Sequence, residues 1–487
     1  MIVEVNLESF EYDIHSLVKA FWSQEEVQVL TPATSAVKRA QLEPEIGICV
    51  KVMQDRGEIS IGQQAYLWEC NPGENLSQNP VEFKLAFKRF FYETLCEYTG
   101  KTLPWGNLTG IRPTKLAYAM LEEGMTDEAI VVKLQEQHLV SEEKALLSID
   151  IARRERELLS GIHYEGGYSL YIGIPFCPTT CLYCSFTSYA IGAYRKEVDR
   201  YVDCVIKEME YVSKAYAHKI LDTVYIGGGT PTTLEPHQLD RLLSKLKELF
   251  DFSTVKEFTV EAGRADSITR EKLEVLKKHG VGRISVNPQT MKQETLDIIG
   301  RKASVEQVLE AYALAREVGF DNINMDLILG LPGEMEEDVQ HTIDKVVELA
   351  PDSLTVHSLA IKRASKLNQW IKEHGVETLN NTDTTMEIAA EGAKRMGMEP
   401  YYLYRQKNMS GNFENVGYAL PGKFGIYNIL IMEEKQTIVA LGAGSISKLV
   451  FPDGRIERSD NIKDVKLYMD KIDEMLERKA ALFALEE

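Results

Sequence analysis

Several absences narrow this 487-residue chain before any motif is read. It has no apolar run of about 18 residues, which disfavours a transmembrane helix. Positive charge is scarce: Lys and Arg number 55 against 74 Asp and Glu, a formal net charge of −19. Such a chain is a poor candidate for wrapping nucleic-acid phosphates or lying on anionic lipid. The start, Met1-Ile2-Val3-Glu4-Val5-Asn6-Leu7-Glu8, carries acids where a secretory signal needs basic residues. No internal repeat and no low-complexity tract is present. A disulfide framework is missing as well. The seven cysteines (Cys49, Cys70, Cys96, Cys177, Cys181, Cys184 and Cys204) are odd in number and irregularly spread, which fits a reducing compartment. A soluble cytoplasmic protein with no nucleic-acid partner and no membrane span is expected.

What is present is globular composition, 44% hydrophobic and 26% charged, over a length that predicts two or three domains. The first part, to about residue 75, mixes β-rich runs such as Ile46-Gly47-Ile48-Cys49-Val50-Lys51-Val52 with polar breaks, and Asn71-Pro72-Gly73-Glu74-Asn75 is turn-rich. Val81 to about Leu159 reads as mostly helical. The exception is Leu103 to Pro113, whose two prolines and two glycines cannot form a helix interior.

After Gly166-Gly167 the texture becomes strand, loop, helix, repeated. Strands are expected at Tyr168 to Ile174, Thr223 to Ile226, Glu257 to Val260, Arg283 to Val286, Ile323 to Ile328 and Ser353 to His357. Between them, Ser304 to Glu317 is predicted helical. Ser304 and Gln307 form a capping-box pattern there, Val305, Val308, Leu309, Tyr312 and Ala315 share one face, and Gly319 follows. Six strands alternating with helices predict a parallel sheet, open or part of a (β/α) barrel, with ligands at the carboxyl ends of the strands.

Directly after the first of these strands comes Ile174-Pro175-Phe176-Cys177-Pro178-Thr179-Thr180-Cys181-Leu182-Tyr183-Cys184, a C-x3-C-x2-C spacing. Close thiols that stay reduced usually hold metal. A structural zinc site wants four ligands, and no fourth Cys or His stands in register nearby; three thiolates suit a [4Fe–4S] cluster with one open iron. The remaining signals are weak singly. Gly227-Gly228-Gly229-Thr230 ends the second strand, where glycines let backbone approach a ligand. Glu261 ends the third strand, where a lone acid is more often an ordinary cap or surface residue; Gln289 follows the fourth strand. Arg301 could pair with a carboxylate, though an arginine just before a helix is usually a solvated surface residue. Asp326 lies within an otherwise apolar strand and needs a partner, of which a ribose hydroxyl is one.

The cysteine spacing, the aromatic after Cys181 and the strand-end position resemble the radical S-adenosylmethionine (SAM) superfamily. From about Tyr168 to Lys448 the chain is most similar to its oxygen-independent coproporphyrinogen III oxidase group, with Tyr171-Ile172-Gly173-Ile174-Pro175-Phe176-Cys177 resembling that group's opening segment. The resemblance implies an α/β fold: a partial (β/α)6 parallel barrel with an N-terminal α/β-plus-helical accessory region and a C-terminal α+β extension. The corresponding segments would be residues 1–75 (small α/β domain), 76–162 (helical), 163–365 (radical SAM core) and 366–487 (extension). It further implies that Cys177, Cys181 and Cys184 ligate the cluster, with Tyr171 beside them at the reacting centre. SAM would be held by Tyr171, Tyr183, Gly228, Gly229, Thr230, Glu261, Gln289, Arg301, Asp326, Ala360 and Ile446, the last after the glycine-rich turn Leu441-Gly442-Ala443-Gly444-Ser445.

Within the group, Phe186 stands where the oxidases carry a fourth cysteine and Gly173 where they carry His. Phe186 matches the haem-chaperone branch, but Glu414-Asn415-Val416-Gly417-Tyr418-Ala419 lacks the His and Trp of that branch's pattern. Cys184-Ser185-Phe186-Thr187-Ser188-Tyr189 and Leu108-Thr109-Gly110-Ile111-Arg112-Pro113-Thr114-Lys115 resemble the HemZ-type coproporphyrinogen dehydrogenase branch. The implied reaction is oxidative decarboxylation: a 5′-deoxyadenosyl radical takes a propionate β-hydrogen, and loss of CO2 and one electron leaves a vinyl group. Two rounds would turn coproporphyrinogen III into protoporphyrinogen IX, in haem biosynthesis. An electron donor and an acceptor are then required partners. Haem trafficking, or radical chemistry on another substrate, are the alternatives. Cationic anchors for a tetracarboxylate could come from Lys84, Lys88, Arg89, Arg112, Lys115, Lys362, Arg363 or Arg405, and a packing surface for the macrocycle from Tyr401, Tyr402 and Tyr404.

Overall fold

Alternation of apolar residues builds the first sheet. In β3 (Ile46–Val52) Ile48, Val50 and Val52 point inward, and in β4 (Arg56–Ile61) Ile59 and Ile61 do the same. With β1 (Ile2–Val5), β2 (Gln28–Leu30) and β5 (Gln64–Glu69) these strands form a five-stranded sheet in the order β2-β1-β3-β4-β5. The helix Pro80–Thr99 begins where the Asn79 side chain accepts from the Glu82 N–H and ends at left-handed Gly100. Its Phe83, Phe87, Phe91 and Leu95 fill the core over that sheet, so the turn at residues 71–75 lies inside one compact body.

The computed structural model describes residues 1–22, 25–42, 46–110, 112–186, 188–361, 365–406 and 413–486. It comprises two compact units, one of Met1–Arg153 with Tyr404–Glu414 and the other of Arg154–Leu403 with Asn415–Glu487. No helix among the described residues is long and apolar enough to cross a membrane.

In the second unit the six expected strands are present as β6 (Gly167–Ile174), β9 (Ile220–Gly228), β10 (Glu257–Glu261), β11 (Arg283–Ser285), β12 (Ile323–Leu329) and β13 (Ser353–Ser358). They pair in parallel in that order, with helices in the connections, which is a partial (β/α)6 barrel. A two-residue pair, β7 (Phe176–Cys177) with β8 (Tyr189–Ala190), ties down the loop after β6. The helix Val305–Glu317 carries the expected capping box between Ser304 and Gln307. Its buried face is Val308, Ala311, Tyr312 and Ala315, while Leu309 is only half-buried.

The sheet runs beyond the barrel on both sides. β14 (Glu399–Tyr404) and β15 (Asn415–Ala419) extend it past β13, the β15 pairing being antiparallel. On the other flank β16 (Thr437–Leu441) lies parallel to β6 and continues into the antiparallel β17 (Ile446–Val450) and β18 (Ile456–Asp460). The strand that leads to the cysteines is therefore interior, hydrogen-bonded on both edges.

Candidate active site

The parallel strands deliver their carboxyl ends to one rim, and the loop 175–188 folds over it. Several independent ties hold that loop. Leu182 N–H donates to Ile299 O (2.9 Å), Leu367 N–H to Leu182 O (3.0 Å), and the Thr179 hydroxyl to Gly300 O (2.9 Å). Leu182 and Tyr183 pack against the apolar cluster of Leu296, Ile299, Ile328, Leu331 and Leu367.

All seven cysteines are unpaired. Each thiol on the loop has a polar neighbour: the Thr230 hydroxyl donates to Cys177 Sγ (3.5 Å), Arg264 Nη1 donates to Cys181 Sγ (3.6 Å), and the Ser188 hydroxyl lies 4.0 Å from Cys184 Sγ. Burial pushes the Cys177 thiol up, partly offset by the Thr230 hydrogen bond. Among the described residues no three His, Cys, Asp or Glu side chains converge closely enough to hold one metal ion, so a closed mononuclear site is not preformed.

Beside the loop, the end of β9 is shaped for close approach. Gly228 sits at φ +106°, and a Cβ on Gly229 would lie 2.6 Å from Phe176 O, so neither position admits a side chain. Glu261 at the end of β10 accepts from the Tyr225 hydroxyl (2.5 Å). Burial raises its carboxyl to about 7, opposed by the Tyr225 hydrogen bond and assisted by the Asp326 charge. The Tyr171 ring stacks near-parallel with Tyr225, centroids 6.3 Å apart, and burial raises its phenol.

Asp326 does not lie unpaired: Asn287 Nδ2 and Asn324 Nδ2 donate to its two oxygens, each at 2.7 Å. Asn324, two residues earlier on the same face of β12, was legible from the period of two; Asn287 stands two residues before Gln289, in the turn after β11. Gln289 adopts left-handed backbone (φ +69°), rare for a residue with a side chain, and bridges to Leu327. Arg301 is buried rather than solvated and donates to Asn287 O (2.7 Å) and the Tyr183 hydroxyl (3.2 Å). Among the described residues Asn287 Oδ1, Gln289 Oε1 and Arg301 Nε are buried with no hydrogen-bond partner. Such atoms cost about 1–3 kcal/mol each, a cost that persists where a ligand meets them.

Ala360 follows β13, half-buried, and Ile446 opens β17 with its side chain 43% exposed. The turn before Ile446 packs on β6: Tyr201 donates to Gly173 O (2.6 Å) and accepts from Ala443 N–H (3.0 Å). The proposed substrate anchors fare differently. Lys84 and Lys88 share Asp13, each at 3.0 Å, Arg89 pairs with Glu93, and Arg405 is buried, donating to Leu108 O. These pairings lie within the first unit, so the side chains are engaged there. Lys362 and Arg363 lie outside the described residues. Tyr401 and Tyr402 are core residues packed edge to face rather than an open platform.

The radical SAM superfamily model matches residues 171–346. Over 403 residues the chain is 43% identical to the oxygen-independent coproporphyrinogen-III oxidase-like protein HemZ of Bacillus subtilis, covering 82% of this chain and 80% of that protein. The chain belongs to the HemZ family of radical SAM proteins. More distant relatives diverge in role: a heme chaperone HemW of the same organism is 37% identical over 195 residues (40% of this chain, 51% of that one). The oxygen-independent coproporphyrinogen III oxidase of Salmonella typhimurium is 27% identical over 324 residues (64% and 66%). Coproporphyrinogen III oxidase (HemN) from Escherichia coli shares the fold, with a TM-score of 0.52 at 24% identity over 68% of this chain and 73% of that one.

Membership of the superfamily implies a [4Fe–4S] cluster and SAM. The residues at the rim fit both. Three thiols on one anchored loop, two of them accepting hydrogen bonds, suit cluster sulfur ligation. The amide oxygens of Asn287 and Gln289 and Arg301 Nε, unpartnered among the described residues, offer a polar cradle with the Glu261 and Asp326 carboxylates beside it.

Proposed function

We propose that the chain is an oxygen-independent coproporphyrinogen III dehydrogenase, oxidising two propionates of coproporphyrinogen III to vinyl groups. Each round removes one hydrogen atom, CO2 and one further electron. The observation that carries this reading is the rim itself: three thiols and a set of unpartnered buried polar atoms at the strand ends, in a chain 43% identical to a coproporphyrinogen-III oxidase-like relative. Cys177, Cys181 and Cys184 would hold the cluster, and the chemistry it would supply with SAM is a hydrogen-abstracting carbon radical.

The chain's own residues orient SAM. The Glu261 carboxylate receives its amino group, where Gly228 and Gly229 let the backbone approach. Arg301, already turned inward with its Nε unpartnered among the described residues, would receive its carboxylate. Asp326, fixed by Asn287 and Asn324, accepts from the ribose with its remaining lone pairs. Tyr171, Tyr183, Gln289, Thr230, Ala360 and Ile446 complete the enclosure.

The haem-chaperone reading is weaker, because the nearest counterpart of that branch's pattern lacks its His and Trp, and Glu414 and Asn415, which start it, are buried and bonded: Glu414 to Trp105 and Lys144, Asn415 to the Ser358 N–H. Anaerobic reconstitution with iron and sulfide, followed by SAM, dithionite and coproporphyrinogen III, tests the proposal. Protoporphyrinogen IX with 5′-deoxyadenosine is expected. 5′-Deoxyadenosine without protoporphyrinogen would sink the substrate assignment, and a stable Soret band on adding haem would favour trafficking. Cys181→Ala is expected to abolish the iron–sulfur absorbance; an intact cluster would overturn the ligand assignment.

A further inference from the structure

One buried cation at the rim has no part in the reading above. Arg264, three residues beyond Glu261, is 4% exposed. Asp266 grips it from two sides, with Nε to Oδ1 at 3.0 Å and Nη2 to Oδ2 at 2.7 Å. That fork fixes the guanidinium plane and aims Nη1 at the cysteine loop. Nη1 reaches three acceptors there: Thr179 O (3.1 Å), Thr179 Oγ1 (2.9 Å) and Cys181 Sγ (3.6 Å). Its own main chain is held in turn, since Ser267 donates to Arg264 O through both N–H and hydroxyl.

We propose that Arg264, aimed by Asp266, is a positioning residue that fixes Cys181 and sets the reduction potential of the cluster Cys181 helps to hold. The inference rests on the cluster assignment above. Its physical basis is charge. A cluster gains one negative charge on reduction, and a buried cation donating to a ligand sulfur stabilises that state more than the oxidised one. Among the described residues neither of the other two thiols has a cation hydrogen-bonded to it; Cys177 has the neutral Thr230 hydroxyl, and the neutral Ser188 hydroxyl is 4.0 Å from Cys184. Water screens surface charges but not this one, which is enclosed on the loop's inner side.

The test is a midpoint potential, measured by EPR-monitored redox titration of the reconstituted full-length protein without SAM or substrate, beside iron and sulfide counts per chain. Arg264→Met is expected to lower the potential so that the ratio of reduced to oxidised cluster at a fixed solution potential falls about tenfold, about 59 mV for a one-electron couple. Arg264→Lys keeps the charge and is expected to recover part of the shift. Asp266→Asn, which removes a negative charge beside the guanidinium and leaves the cation, is expected to move the potential the opposite way, upward. Should Arg264→Met fail to fold, the Lys and Asn variants decide on the same measurement. Variants that load iron and titrate at the wild-type potential would overturn the role of Arg264. A wild-type chain that holds no cluster would instead overturn the cluster assignment.

Discussion

At the barrel rim, Asn287, Gln289 and Arg301 each keep a buried polar atom without a partner, whereas a few strands away Glu208 has none to spare. Glu208, on the helix Val198–Ala215, accepts from Lys479 Nζ (2.6 Å), Asn461 Nδ2 (2.8 Å), the Tyr468 hydroxyl (2.5 Å) and Gly442 N–H (2.7 Å). Both regions bury charged and amide side chains at a similar depth, yet one is closed and the other incomplete. A buried charge is tolerated when every lone pair is met, and such a network serves the fold. Polar atoms left unmet at the carboxyl ends of parallel strands mark the face where a ligand completes the structure. The closed network nonetheless supports the open one, because it pins the turn that leads to Ile446.

The sharpest way to break this comparison is Lys479→Met. It strands the Glu208 charge in the interior, and a loss of about 3–5 kcal/mol is expected in urea denaturation. An unchanged midpoint would mean that the network contributes little. At the rim the expected response is in affinity, not stability. The Glu261 carboxyl, raised to about 7 by burial, is ionised at pH 8 and mostly protonated at pH 6. A cationic amino group binds the ionised form, so SAM affinity by calorimetry is expected to fall about tenfold over that interval. Glu261→Gln should bind weakly with a flat profile; a wild-type profile that is flat would remove Glu261 from the amino-group contact. The smallest effect should come from Gln289→Gly. Relieving the left-handed backbone is expected to stabilise the protein by about 1 kcal/mol while weakening SAM binding. A variant that loses stability would show that the strain assignment is mistaken.

The barrel was readable because each strand is a short apolar run closed by a turn, and because helices such as Val305–Glu317 announce themselves by caps and period. The cysteine loop was readable from spacing alone. The flanking strands were not. β16 pairs with β6 from the far end of the chain, and nothing local in Thr437–Leu441 names its partner. Arg301 reads as a surface residue before a helix, and only the fold turns it inward. Arg264 carries no signal at all: a single arginine in a loop acquires meaning from Asp266, Thr179 and Cys181, which only the tertiary structure brings together. The same limit applies to the cations proposed as substrate anchors, since Lys84 and Lys88 are committed to Asp13 by contacts about 70 residues distant in sequence.

The placement of β16 also has a consequence in time. The strand that leads into the cysteine loop receives its second neighbour only when the chain has grown by roughly 270 further residues, roughly 15–50 s at ribosomal rates. Until then one edge of β6 is bare, with no hydrogen-bonding partner for its Tyr168–Ile172 backbone. The sheet around the cysteine loop is therefore complete only late in chain growth, and in the interval that bare edge is open to pairing with another strand.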